Sequence, residues 1–381
     1  MKQHVPAVDL VRGFRDKRTL VIGDAMLDTY LEGTATRLCS EGPVPVVSKT
    51  AEYRIPGGAA NTAANLRALG AEVALLGIVG TDLAASLLRA ALATHHVDEK
   101  WLVADTAFST LHKLRIVANN QYVVRFDEGG IREQIAPLAS SCQQSLLAHL
   151  ETLYRWCDLV VVSDYGYGVT SDQFIARLHT LHTQEPKPVL IDSKMLHRFR
   201  AVPATVVTPN YAEANALIAH IDNTFSSARS ETLLSSSALE HVGRRVLDTM
   251  QAEYVAVTLG ARGVAVFHRN AEMLHVEAHS VQRADDVGAG DSFISGMALA
   301  LATGGDVEAA VRIGIDAAAI AVAKQRTAIV DQQELLRRVS IREYATRAEM
   351  QSPVGPQNAP ALAAYLHADL SAGPDAADHN Q

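Results

Sequence analysis

Seven short apolar runs punctuate the chain, at residues 19–23, 73–77, 159–163, 189–192, 205–208, 255–259 and 264–267. They are rich in valine and show no polar alternation, which is the pattern of strands covered on both faces. Segments with helical periodicity separate most of them, at 61–69, 84–92, 143–154, 171–181, 212–219 and 238–250. Buried strands alternating with helices predict an α/β fold, a mainly parallel central sheet flanked by helices. Ligands of such folds bind at the carboxyl ends of the strands.

Two stretches break the rhythm. Residues 29–55 and 106–127 read as strands with no helix between them, and Asn119-Asn120 marks a turn. They are expected to form a small separate sheet over one end of the main one, a lid; an edge hairpin without a role is the plainer alternative. Farther on, residues 296–303 and 307–323 predict two Ala-rich helices around Gly304-Gly305, with a short helix near 332–339. Pro, Gly, Ala and Asp dominate after about residue 350. One domain over 1–345 and a disordered tail over 346–381 are expected.

The chain has 381 residues, 48% hydrophobic and 20% charged, with net charge −8. No basic cluster offers a nucleic-acid face. No uncharged run approaches the roughly 20 apolar residues of a membrane span, and the charged N-terminus has no apolar signal core. Three cysteines, Cys39, Cys142 and Cys157, cannot all pair within one chain. A reducing, cytoplasmic setting is expected.

Candidate chemistry gathers in five places. In Asp285-Asp286-Val287-Gly288-Ala289-Gly290-Asp291 an apolar helix follows directly. Gly288, Ala289 and Gly290 bring backbone N–H groups to a helix N-terminus, an anion site. Asp291 at its mouth suits a catalytic base that takes a proton from an attacking hydroxyl; a helix cap is the alternative. Gly57-Gly58-Ala59-Ala60-Asn61 leaves room for a ligand and offers an amide to hydroxyls, or caps a helix. Asp24 and Asp28 stand at the end of the first strand, placed for sugar hydroxyls or for a turn. Asn210 and Glu213 share a helix face suited to a hydrated Mg²⁺, or form a capping box. Thr258, Gly260 and Gly263 lie between two strands, as a nucleotide-phosphate loop or a hairpin. The chain contains neither G-x-x-x-x-G-K-[ST] nor G-x-G-x-x-G after a strand.

Taken together, Gly57-Gly58 with Asn61, Gly70 and Gly80, followed by Gly288-Ala289-Gly290-Asp291, resemble the two signatures of the ribokinase-like (PfkB) sugar kinases over residues 17–340. Within that family the chain is similar to the bacterial D-glycero-D-manno-heptose 7-phosphate kinases. The segments that carry this are Gly23 to Asp28, Arg37 with Pro43 to Val47, Asn120-Gln121 with Arg125 and Asp127, Ser163-Asp164-Tyr165 with Gly168, and Leu190 to Asp192 with Lys194. The resemblance implies ATP and Mg²⁺ as cofactors and phosphoryl transfer to the C1 hydroxyl of a 7-phosphorylated heptose. It implies that Asp291 is the base, and that Asp24, Asp28, Gly57, Gly58 and Asn61 hold the sugar. Arg37 and Arg125 would take its distal phosphate. Lys194, Asn210, Glu213, Thr258, Gly260 and Gly263 would line the ATP side, with Glu213 holding Mg²⁺ through water. A homodimer through the lid is implied as well. Other sugars, sugar phosphates or nucleosides, and a catalytically weak binding protein, remain the alternatives.

The chain departs from the family pattern at Val287, where a hydroxyl residue is usual, and at Asp286, which adds charge. It also departs at Ser193 in place of proline and at Arg326, in place of the glycine of a Gly-Thr pair near the adenine. There is no H-x-G-H motif, so the kinase step alone is expected, without the nucleotidyltransferase domain to which such kinases are often fused.

Overall fold

The computed structural model describes residues 5–129, 139–222, 235–281 and 286–351. In chain order the elements are α1 (Ala7–Arg12), β1 (Arg18–Gly23), β2 (Ala25–Leu38), β3 (Pro45–Gly58), α2 (Ala59–Ala68), β4 (Glu72–Val79), α3 (Leu83–Thr94), β5 (Leu102–Ala104), β6 (Leu111–Ala118) and β7 (Gln121–Glu128). They continue with α4 (Ser140–Trp156), β8 (Leu159–Asp164), α5 (Asp172–Gln184), β9 (Val189–Ser193), β10 (Ala204–Val207), α6 (Tyr211–Ile221) and α7 (Ser236–Thr249). Last come β11 (Ala252–Thr258), β12 (Val264–His268), β13 (Leu274–Val276), α8 (Ala289–Ala302), α9 (Val307–Val322) and α10 (Gln332–Gln351).

The main sheet runs β13-β12-β11-β10-β9-β8-β1-β4-β5. It is parallel from β5 to β11 and antiparallel at β12 and β13. The valine runs behave as their pattern predicts. Successive residues of one strand feed opposite cores: Leu159 and Val161 of β8 join a cluster with α1, α2, α8 and α9, whereas Val160 and Val162 join one with α4 to α7. Each fully buried side chain of this size stabilises by about 1.5–3 kcal/mol. Side-chain caps start several helices, with Asp82 accepting from Ala85 N, Ser171 from Phe174 N and Asp306 from Ala309 N.

The two irregular stretches form a separate four-stranded sheet, β3-β2-β6-β7, in which β2 and β6 are parallel and both outer pairs antiparallel. Asn119 and Asn120 make the β6–β7 turn with positive φ. The chain enters this sheet directly from β1 through Asp24 and leaves it from β3 into α2, so the small sheet is joined to the main one where the site lies. The last helix is longer than expected, running to Gln351 rather than 339. Of the expected tail, residues 352–381 lie outside the described residues, as does Asp285. Among the described residues no helix is long and apolar enough to cross a membrane.

Candidate active site

Strand order reverses between β1 and β8: the chain moves outward from β1 to β4 and β5, then returns on the other side. A crevice opens at the carboxyl ends of such neighbours. Asp24 sits in it. Its Oδ2 accepts from Tyr165 N at 2.7 Å and Tyr167 N at 3.2 Å, both just past β8. Its buried Oδ1 has no hydrogen-bond partner among the described residues. Burial first, and Asp164 second, push this carboxyl up to about 7 against the pull of the loop amides. Asp28 lies on β2 with both oxygens engaged: Arg115 Nη1 donates to Oδ1 at 2.8 Å and Thr327 Oγ1 to Oδ2 at 2.8 Å. The small residues Gly57 and Gly58 let the end of β3 press against these groups. A Cβ on Gly57 would lie 2.8 Å from Asp28 Oδ2, and one on Gly58, at φ +56, 2.7 Å from the Asp24 carbonyl.

Asp291 is in the first turn of α8 and buried. No side chain caps this helix; Gly288 occupies the cap at φ +82, which glycine adopts without steric cost. The Asp291 carboxylate is gripped from α2 instead, by Asn61 Nδ2 at 2.7 Å and Thr62 Oγ1 at 3.0 Å, with Tyr165 OH at 3.4 Å. Asn61 does not cap α2 either. It is fully buried and its amide is committed to Asp291, while Asn65 Nδ2 donates back to its Oδ1 at 3.1 Å. Burial raises the Asp291 carboxyl to about 6, partly offset by the Asn61 and Thr62 hydrogen bonds. Such a group is ionised at neutral pH yet basic enough to take a proton from a hydroxyl. Above it, Gly290 is exposed, and a Cβ there would meet nothing within 4 Å. That is space for a ligand against the first turn of α8, where the Ala289 N–H already donates to Asp286 O at 3.2 Å and the following amides have no carbonyl partner inside the helix.

On the other flank, Asn210 and Glu213 close a full capping box at α6, and Lys194 pairs with the same Glu213 oxygen, Oε1, that accepts from Asn210 Nδ2. Thr258 is bridged to Asn210, and its N–H donates to Pro209 O at 3.0 Å, so both loops reach one place. Gly260 borders open space, whereas a Cβ on Gly263 would lie 2.0 Å from Val276 O; there the close approach of β13 explains the glycine. Arg37 stands exposed near the outer end of β2, nine residues and roughly 30 Å of strand beyond Asp28. It is not brought to Asp291 within one chain. Arg125 is closer, on β7 opposite Arg115, where it pairs with Asp127 at 2.9 Å.

Sequence reasoning passed over several residues that complete the site. Tyr165 links the two carboxylates, its N–H on Asp24 and its hydroxyl on Asp291. Lys113 and Lys194 lie 5.3 and 5.6 Å from its ring centroid. Lys113 is half-buried on β6, registered between Asp28 and Asp127, and burial lowers its pKa. The signal for Lys113 was its alternation with Arg115 in a β-rich run, which puts both on one face. Asp192, at the end of β9, is pushed up to about 7 by burial and then by Glu213.

A buried carboxylate beside a glycine-rich helix N-terminus, at the carboxyl ends of a parallel sheet, suits a phosphotransferase that acts on a hydroxyl group. The chain belongs to the pfkB family of carbohydrate kinases, whose family model matches residues 16–334. Among similar proteins, the bifunctional protein HldE of Desulfatibacillum aliphaticivorans is 33% identical over 88% of this chain and 66% of its own length. That of Azorhizobium caulinodans is 37% identical over 83% of this chain and 63% of its own. The chain thus spans under two thirds of the length of these relatives. Among solved structures, Arabidopsis thaliana ribokinase complexed with ribose and ATP superposes with a TM-score of 0.66 at 18% identity, covering 85% of this chain and 98% of that one. Escherichia coli phosphofructokinase-2 in complex with fructose-6-phosphate gives 0.64 at 18%, covering 85% and 98%. The fold is ribokinase-like, and the family is one of ATP-using sugar kinases.

Proposed function

We propose that this chain transfers a phosphoryl group from ATP to the C1 hydroxyl of D-glycero-D-manno-heptose 7-phosphate, giving the 1,7-bisphosphate. The heptose is what the resemblance to the heptose 7-phosphate kinases implies. The observation that carries an acceptor reading is the buried Oδ1 of Asp24, which has no hydrogen-bond partner among the described residues, on a carboxylate that Tyr165 links to Asp291. A buried carboxylate oxygen without a donor is costly, and a sugar hydroxyl supplies the missing donor. In this reading Asp24 and Asp28 orient the sugar. Asn61, Thr62 and Tyr165 aim the Asp291 carboxylate, and Asp291 takes the proton from the attacking hydroxyl. The amides of Gly288 and Gly290 stabilise charge on the transferring group, whereas that of Ala289 donates to Asp286 O at 3.2 Å.

The distal phosphate falls to Lys113 and Arg125 rather than to Arg37. The Lys113 ammonium is half-buried over the Tyr165 ring with the Asp28 and Asp127 charges beside it, and it can turn a donor to a phosphate together with the Arg125 fork. ATP would lie along Lys194, Asn210, Thr258 and Gly260. Mg²⁺ fits only indirectly: among the described residues no three His, Cys, Asp or Glu side chains gather to hold a metal. Glu213 Oε2 accepts one bond, from Asn210 N at 3.0 Å, which leaves a lone pair for a metal-bound water. The cation would neutralise phosphate charge beside Asp192 and Glu213. A cytoplasmic setting accords with three cysteines in no disulfide.

The test is ADP release across heptose 7-phosphate, fructose 1-phosphate, fructose 6-phosphate, ribose and adenosine. Turnover with the heptose phosphate alone is expected. Lys113→Met should raise KM for that acceptor at least ten-fold, the loss of a charged hydrogen bond of about 1.5–3 kcal/mol. Turnover confined to another acceptor would discard the heptose. An equal effect of Lys113→Met on unphosphorylated sugars would remove Lys113 from the phosphate site.

We also propose that two chains pair through the small sheet. Residues opposite to the Lys113–Arg115 face, namely Leu114 and Ile116 with their β7 partners Phe126 and Val124, form an apolar patch. Phe126 is 56% and Val124 49% exposed, unusual for such residues unless another surface covers them. Phe126→Asp is expected to give a monomer in sedimentation velocity with the core melting unchanged. A dimer that persists in this variant would place the interface elsewhere.

A further inference from the structure

Four non-glycine residues have positive φ among the described residues: His96, Asn119, Asn120 and Arg326. Three have a local reason. His96 follows the end of α3, and the two asparagines make the β6–β7 turn. Arg326 has none in its own backbone: at φ +66 an arginine sits in a conformation that L side chains avoid. Its side chain supplies the reason. The guanidinium donates twice to Glu32 of β2, Nε to Oε1 at 2.5 Å and Nη2 to Oε2 at 2.9 Å. It also stacks on Tyr53 of β3, with Cζ 3.6 Å from the ring centroid. A bidentate fork on a carboxylate with an aromatic floor is arginine's own geometry, one that lysine does not reproduce.

The next residue extends the same grip. Thr327 N–H donates to Tyr30 OH at 3.1 Å, the two hydroxyls bond at 2.9 Å, and Thr327 Oγ1 donates to Asp28 Oδ2 at 2.8 Å. On its other side this loop backs the anion turn. A Cβ on Gly288 would lie 3.3 Å from Thr327 Cγ2, and Val330 N donates to Asn65 Oδ1 at 3.0 Å. Asn65 also accepts from Ser292 Oγ of α8 at 3.1 Å. One short loop therefore holds strands β2 and β3 of the small sheet with one side and the phosphoryl-transfer turn with the other.

We propose that Arg326 is a positioning residue: its clamp on Glu32 and Tyr53 registers the acceptor-holding strands to the Gly288–Asp291 turn. Its guanidinium is committed to Glu32 and Tyr53. It fixes where Asp28 stands relative to Asp291, so its loss displaces the sugar and leaves the ATP side alone. The kinetic arm of the test rests on the sugar-kinase reading; the exchange arm does not.

Arg326→Gly is the informative variant, because glycine takes φ +66 without strain and the fold is kept. With the best acceptor of the wild type, KM for the acceptor should rise about ten-fold, as small misplacements of a reactant do, while KM for ATP stays within about two-fold. Arg326→Lys, which keeps the charge without the fork, should recover part of the loss. Glu32→Gln should mimic Arg326→Gly, and the double variant should be no worse than either single one. In hydrogen exchange, amides of residues 25–58 should exchange faster in Arg326→Gly while α8 keeps its protection. Unchanged acceptor KM together with unchanged exchange over 25–58 would overturn the clamp, as would equal changes in both KM values. A wild-type protein that turned over no acceptor would count against the kinase reading only; the exchange comparison would still decide the clamp.

Discussion

Asp291→Asn is expected to lower kcat by about three orders of magnitude or more, within reach of a general base acting with electrostatic stabilisation, while ATP still binds in calorimetry. The replacement keeps the shape of the group and an oxygen for Asn61 or Thr62, but it cannot take a proton. Folding should not suffer. The native carboxyl sits at about 6 rather than 3.8, chiefly through burial, so the folded state holds its proton more tightly than the unfolded chain. Stability from this group is therefore present at low pH and lost as pH rises from about 4 to about 6. Asparagine, having no charge to bury, escapes that cost, and the variant should melt no lower than wild type at pH 8. The same carboxyl shares the acidic limb of the rate profile with Asp24, which burial pushes up to about 7. In the wild type kcat/KM should begin to fall below about 7, as Asp24 takes up a proton, and fall more steeply below about 6, as Asp291 does. Wild-type kcat in Asp291→Asn would move the base elsewhere. A large drop in Tm would show the carboxylate to be structural.

Arg115→Ala should be the most destabilising single change in the site. The Arg115–Asp28 pair has side chains 8% and 5% exposed and a separation of 2.8 Å. Removing one member leaves the other charge buried with only Thr327 as donor, at a cost of about 3–5 kcal/mol. The guanidinium also lies over the Tyr30 ring, 5.1 Å from its centroid, so packing is lost with charge. If Asp28 orients the sugar as proposed, a lower Tm should come with weakened acceptor affinity, because Asp28 loses the Arg115 donor that fixes its direction. Asp28→Asn in the same background, which removes the orphaned charge, should restore part of the stability. If Arg115→Ala melted within a degree of wild type, water would have to enter beside Asp28 and take over the pairing.

How far the sequence carried this reading depends on the range of the interactions. The seven valine runs declare a doubly covered sheet because each strand pair needs only apolar residues in succession. The small sheet declared itself by the absence of helices between its strands. The strands β5 and β13 and helix α1 are missing from that reading, since three to six residues of mixed character give no period to detect. At the site, Asp291 and the glycines before it were legible as a helix-terminal motif. The use of Asn61 was not. Its partner is 230 residues away, and its neighbours read equally as a cap or a sugar contact. For Glu213 the sequence offered a capping box and a cation ligand together, and the box is formed. Lys113, Arg115 and Tyr165 were visible as residues but not as a set, because only the parallel pairing of β2 with β6 sets Lys113 and Arg115 beside Asp28 and Tyr30.

The small sheet ends at β7, whose outer edge meets no described strand and whose every residue is exposed. Tyr122, Val123 and Val124 lie in succession there. A β-branched edge of this kind is a template on which another extended chain can grow a strand. A chain left uncovered at this edge is expected to aggregate there first. Loss of the protein from solution would then begin at β7 while the α/β core is still folded.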